Sequence, residues 1–336
     1  MIRDLIGQAV RSALDGIPNL PGEELVEGLH PRIARLTAAM GRLGMEDLHG
    51  FPVTANRLIL DTLAHLMQKE PVALPRVEDR RIPGPGGDLP ARIYYPEGEG
   101  PRPVLLYFHG GGWVLGGLNS HDPVCRLLAR ESNCLVVSVE YRKAPEAPFP
   151  AATRDALAAL EWVRENAVSL GGDGERIAVG GDSAGGNLSA VVSAQTRGTP
   201  ARPSLQILFY PATDILPRTE SARLFARGYF LTMEQIEWFR SHYVPNREAY
   251  TDPRVSPLLD ADFHELPRTL MITAGFDPLR DDGKAYADKL TDAGVAVNYH
   301  CFDNMPHGFL NMTLLASEGE DAVGMAAREL RAHFKV

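Results

Sequence analysis

The chain has 336 residues, with 34 Lys and Arg against 43 Asp and Glu, for a net charge of −9. With 44% apolar and 23% charged residues it can bury a large core, which excludes wholesale disorder, and its acidic balance excludes the basic face that a nucleic-acid partner needs. Three cysteines, Cys125, Cys134 and Cys301, are too few and too scattered for a disulfide framework or a Cys-x-x-Cys zinc site, so reduced thiols in a cytoplasmic setting are expected.

In chain order, the first predicted element is a short helix. Ile2, Leu5, Ile6, Ala9, Val10, Ala13, Leu14 and Ile17 form one apolar stripe. The opening residues are too mixed for a secretory leader, and no run of 18 apolar residues occurs, so no stable membrane insertion is expected. Helical stretches follow at 31–40 and 53–69. Beyond Pro75 the grammar changes. Strands are predicted at 77–82 and 91–95, joined through a Gly/Pro turn at 83–88. Further strands at 104–108, 135–139, 177–179, 205–210, 269–273 and 295–302 alternate with helices at 123–132, 152–167, 187–197 and 284–293. Such alternation implies an α/β fold, a mostly parallel sheet flanked by helices on both faces.

One stretch breaks the alternation. Residues 213–227, then a helix at 233–243, are long for a connection and carry Phe225, Tyr229, Phe230, Leu231, Trp238, Phe239 and Tyr243. An excursion of this length is expected to be a lid or a binding loop, its aromatics walling a binding pocket.

Two glycine motifs carry chemistry. Gly181-Asp-Ser-Ala-Gly185 follows a strand and opens a helix, so it predicts a sharp turn that lifts the Ser183 hydroxyl above the carboxyl end of the sheet. His109-Gly-Gly-Gly-Trp113 follows the strand at 104–108. Three glycines leave backbone N–H groups bare, as stabilisation of a tetrahedral acyl intermediate requires. Neither a G-x-x-x-x-G-K-[ST] nor a G-x-G-x-x-G pattern occurs, which removes a phosphate loop.

A serine nucleophile needs a base, and the base an orienting acid. In the chain order Ser, acid, His, the base candidates are His242, His264, His300, His307 and His333. His307 is preferred because its loop follows the last strand. His300 lies within that strand, His242 in the excursion and His333 near the terminus. Asp277, just after the strand at 269–273, is the preferred acid over Asp281 and Asp282, which read more simply as helix caps.

These segments resemble the hormone-sensitive-lipase group of α/β-hydrolase esterases from about Arg81 to the end. The marks are His109-Gly-Gly-Gly-Trp113, Tyr141-Arg-Lys-Ala-Pro-Glu146, Phe149-Pro-Ala-Ala152 with Asp155, Gly181-Asp-Ser-Ala-Gly-Gly186, Ser256-Pro-Leu258, Asp277-Pro-Leu279 and His307-Gly-Phe309. The resemblance implies an α/β-hydrolase fold with a mostly parallel eight-stranded sheet and a helical cap. It implies Ser183 as nucleophile, His307 as base and Asp277 as acid, with the amides of Gly111, Gly112 and Ala184 as oxyanion donors. Glu146 is expected in a structural network under the elbow. The implied domains are an N-terminal part of the cap at 1–45, a core at 46–212, a cap insertion at 213–245 and a core at 246–336. The implied activity is a cofactor-free, metal-free hydrolysis of short- to medium-chain acyl esters through an acyl-enzyme. A homodimer through the last strand fits the group. Lys143 stands where an apolar residue is usual, a change expected to touch only local packing.

Two other readings share the motifs. A ligand-binding receptor on this fold, as in plant gibberellin receptors, lacks the catalytic histidine, whereas this chain has His307. A small-amide hydrolase would use the same three residues.

Overall fold

The computed structural model describes residues 26–42 and 50–336. The helix expected at 2–17 lies outside the described residues. The first described helices are α1 (Pro31–Arg42) and α2 (Val53–Met67). Eight strands follow: β1 (Arg76–Ile82), β2 (Leu89–Tyr95), β3 (Arg102–Phe108), β4 (Leu135–Val139), β5 (Gly172–Asp182), β6 (Leu205–Phe209), β7 (Arg268–Phe276) and β8 (Val297–Pro306). They form one sheet in the order β1-β2-β4-β3-β5-β6-β7-β8. β1 and β2 pair antiparallel, as do β2 and β4, and every other neighbour pair is parallel.

The central strands carry buried apolar runs because both faces are covered. In β3, Val104, Leu106 and Phe108 point into one core layer and Leu105 and Tyr107 into the other. The first layer is filled by α4 (Ala151–Asn166), through Ala152, Ala156, Ala159, Leu160 and Val163, and by α5 (Ala184–Gln195). The second is filled by α3 (Asp122–Ser132) and by a C-terminal helix, α9 (Glu318–Phe334). α9 is absent from the sequence-derived elements. Its buried stripe, Ala322, Val323, Ala326, Leu330 and Phe334, has helical spacing and packs against α3. α8 (Arg280–Asp292) covers the β7–β8 end of the sheet.

The excursion between β6 and β7 holds the expected helix and a second, shorter one ahead of it. α6 (Glu220–Leu224) lies within 213–227, and α7 (Met233–Tyr243) follows it. α7 starts where a Thr232–Gln235 capping box satisfies two of its free amides.

Candidate active site

The parallel strands β3, β5, β7 and β8 bring their carboxyl-end loops to one rim, where α/β sheets bind ligands. Ser183 sits between β5 and α5 with φ of 54°, a strained value for a side-chain-bearing residue. The strain is held in place. The Ser183 N–H donates to Phe209 O (2.9 Å) and its carbonyl accepts from Asn187 N and Ala212 N. Gly185 is fixed by space: a Cβ there would run into Phe108 O, because the elbow leans on the end of β3.

His307 follows β8, and Asp277 follows β7. The Ser183 hydroxyl lies 2.9 Å from His307 Nε2, and His307 Nδ1 lies 2.7 Å from Asp277 Oδ2. With Nδ1–H donating to the carboxylate, Nε2 is the free lone pair that accepts from the serine. Asp277 is fully buried, and its Oδ1 accepts from Leu279 N (2.8 Å). Tyr210 packs against the His307 ring, with centroids 4.7 Å apart. The other histidine candidates lie elsewhere. His242 Nδ1–H donates to Trp238 O on α7, His264 pairs with Asp262, His300 packs on Phe302, and His333 meets Ser204. Asp281 pairs with Arg280 and accepts from Ser221 N, whereas Asp282 is buried in the first turn of α8.

Gly111 and Gly112 line the same cavity as Ser183 and His307. The carbonyl of each peptide that carries these amides is itself an acceptor: Gly110 O from His109 Nδ1 (2.8 Å), Gly111 O from Leu115 N (2.8 Å). Each such bond polarises the N–H on the other side of its peptide. Burial pushes His109 down to about 4, so the ring is neutral near pH 7 and can carry its one proton on Nδ1. Ala184, first residue of α5, is buried, and its N–H has no acceptor within the helix.

Asp182, given no role from its motif, and two residues outside the motifs, His121 and Arg57, also border the site. Asp182, one residue ahead of the serine, is buried and accepts at Oδ1 from Gly110 N (3.0 Å) and Tyr107 OH (2.8 Å). His121 Nε2 lies 3.2 Å from the same oxygen. Burial opposes charge on both partners, yet the Asp182 carboxylate holds His121 above its ordinary value and His121 holds Asp182 below the carboxylate range. The third is Arg57 on α2. Its guanidinium donates to Val114 O (2.9 Å) and Ala144 O (3.0 Å), gripping the outer side of the glycine loop. Glu146 therefore has a different place from the one expected. It is a largely exposed carboxylate bound by both terminal nitrogens of Arg57, which hold it down at about 2, while the network under the elbow is Asp182, His121 and Tyr107.

The rim opens into a cavity of about 780 Å3. Its walls come from α2, the excursion and the segment after His307. Phe230, Leu231, Trp238 and Phe239 face it. Of the remaining excursion aromatics, Phe225 and Tyr229 pack on Phe276, and Tyr243 stacks under Trp113. All three cysteines are free, and burial pushes their thiols up, Cys134 and Cys301 to about 11, so none competes as a nucleophile. Among the described residues no cluster of three or more His, Cys, Asp or Glu could hold a metal, and no helix is long and apolar enough to cross a membrane.

Residues 105–311 match a family described by its alpha/beta hydrolase fold. The chain belongs to that family. This α/β-hydrolase is 46% identical over 266 residues to the carboxylic ester hydrolase LipN of Mycobacterium tuberculosis, covering 77% of this chain and 70% of LipN. It is 42% identical over 273 residues to the carboxylesterase NlhH of the same organism, covering 79% and 86%. Among solved structures it is similar to LAE6, an alpha/beta hydrolase enzyme from the metagenome of Lake Arreo, Spain. The TM-score is 0.88 at 41% identity, over 93% of this chain and 99% of that one. The hormone-sensitive-lipase resemblance of the motifs is borne out, and so is the eight-stranded, mostly parallel sheet.

Proposed function

We propose that this carboxylesterase hydrolyses short- to medium-chain acyl esters through an acyl-enzyme formed on Ser183. The observation that carries the reading is the continuous chain of hydrogen bonds from the Ser183 hydroxyl through His307 to buried Asp277. Ser183 Oγ attacks the ester carbonyl while His307 Nε2 takes its proton. Asp277 keeps the ring in the right tautomer and stabilises the imidazolium. The carbonyl oxygen becomes an alkoxide held by the amides of Gly111, Gly112 and Ala184, each such donor worth roughly 100- to 1,000-fold in rate. Collapse expels the alcohol, which leaves with the proton from His307. Water then repeats the sequence on the acyl-enzyme and frees the carboxylic acid.

The substrate class follows from the walls. Ile59, Leu60 and Leu63 on α2 and the excursion residues Ile236 and Phe239 line the cavity beside the serine. We read α1 and the excursion as the cap and extend it to α2, which the expected bounds put in the core, because α2 walls the same cavity. An apolar wall rewards each added methylene by at most about 0.8 kcal/mol, roughly threefold to fourfold in kcat/KM, until the chain meets the far side. A p-nitrophenyl ester series from acetate to palmitate tests this. The expected profile rises from acetate, peaks at a medium chain and falls by palmitate. A profile that climbs through palmitate contradicts the proposed chain length. A Ser183→Ala variant with undiminished turnover contradicts the nucleophile.

A further inference from the structure

The loop from β3 to α3 has two limbs. The front limb carries Gly111 and Gly112, which line the cavity with Ser183, and residues 115–118 form the rear limb. The limbs are in contact. Leu115 N–H donates to Gly111 O (2.8 Å), and a Cβ on Gly116 would run into Gly110 O. With no slack between them, a shift of the rear limb moves the front one.

The rear limb is gripped by a charged pair on the segment that follows β4. Lys143 Nζ donates to Gly116 O (2.6 Å) and to the Glu140 carboxylate. Glu140 Oε2 accepts from Leu118 N–H (2.8 Å), and a Cβ on Gly117 would lie 2.6 Å from that oxygen. Lys143 and Glu140 are mostly sheltered and line a small polar cleft of about 250 Å3 that also includes Asp61 and Arg92. An apolar side chain at 143 would leave Gly116 O and one Glu140 oxygen without their donor. The lysine is thus more than a change in local packing.

We infer that the Lys143–Glu140 pair is a positioning device for the oxyanion-binding amides: it fixes Gly116 and Leu118, and through them the placement of Gly111 and Gly112. The inference rests on the proposed role of those two amides. Lys143 touches no substrate. Its effect is confined to states in which the substrate oxygen carries charge, so ground-state binding is spared.

The test compares the full-length protein with its Lys143→Met variant, using two ligands of equal length. A trifluoromethyl ketone, 1,1,1-trifluoro-2-decanone, adds to a serine hydroxyl and forms a hemiketal alkoxide. The parent 2-decanone occupies the cavity as a neutral ketone. In Lys143→Met the expected results are a kcat about tenfold lower, KM within about twofold, trifluoromethyl-ketone affinity about tenfold weaker and 2-decanone affinity unchanged. Glu140→Gln should show the same split, and it decides the matter if the lysine variant does not fold. The double variant should be no worse than the poorer single one, since both remove one device. Unchanged affinity for both ligands overturns the inference. Equal weakening of both also overturns it, because that is the mark of a distorted cavity. The nucleophile reading is judged separately: Ser183→Ala must lose the extra affinity for the trifluoromethyl ketone, whatever Lys143 does.

Discussion

The Gly110 amide nitrogen stands 3.0 Å from Asp182 Oδ1, so the residue ahead of the proposed nucleophile holds the glycine loop that arrives from the neighbouring strand. β3 and β5 are adjacent and parallel, which brings their carboxyl ends side by side. One buried carboxylate can therefore join the two loops whose separation sets the reaction geometry. It is balanced by His121, so the joint is a buried charge pair.

Asp182→Asn keeps the shape of the side chain but removes the charge that holds His121 in its raised state. The expected outcome is a folded protein destabilised by about 3 kcal/mol, as when one partner of a buried pair is lost. Its kcat should be about 100-fold lower because Gly110 is no longer tightly held. Denaturant midpoints and kcat/KM measured on the same preparations check both parts. Parent-like values in both would remove the joint from the account.

Asp282 sets a pH dependence of stability. It is buried, and its Oδ2 has no hydrogen-bond partner among the described residues. Burial, reinforced by Asp214, Asp281 and Asp277, pushes its carboxyl up to about 7. An unfolded chain releases this proton near the ordinary carboxylate value of about 3.8. Between the two values the unfolded state binds fewer protons than the folded one, so this group's contribution to stability falls as pH rises from about 4 to about 7 and then levels off. The loss is a few kcal/mol, about 4 at most. Asp282→Asn, which mimics the protonated acid, should melt well above the parent at pH 8 and close to it at pH 4.5. Calorimetry at the two pH values reads this directly, and an equal gap at both contradicts it.

Phe239 tests the proposed wall. It lines the cavity and meets Trp238 edge to face, with centroids 5.3 Å apart. Phe239→Ala should shift preference toward longer acyl chains, by several-fold in the ratio of decanoate to butyrate kcat/KM. The half-buried ring costs about 1–2 kcal/mol of stability when removed. An unchanged ratio places the acyl chain elsewhere in the cavity.

The proposed serine, acid and base are legible because each belongs to a local grammar. Ser183 lies in a strand–turn–helix motif, and Asp277 and His307 each follow a strand whose apolar run is plain in the sequence. Parallel strands then bring three distant loops to one edge without further instruction. Arg57 and His121 were not legible, since a guanidinium on α2 reaching Val114 O, or an imidazole paired with Asp182, is a contact between separate elements that no spacing encodes. Glu146 illustrates the same limit: its partner is 89 positions away. Lys143 reads as a packing change because an apolar residue is usual at its place in the motif, while its bonds run to Gly116 and Glu140. α9 follows the last strand, where strand–helix alternation gives no cue, and only its own stripe announces it.

The most direct test of the central claim is the site of covalent labelling by diethyl p-nitrophenyl phosphate, mapped by peptide mass spectrometry and followed alongside esterase activity. The account predicts one phosphoryl adduct per chain, on Ser183, formed in step with loss of activity and absent from Ser183→Ala. An adduct on another residue that tracks the loss of activity, or full inactivation with Ser183 unlabelled, would contradict it.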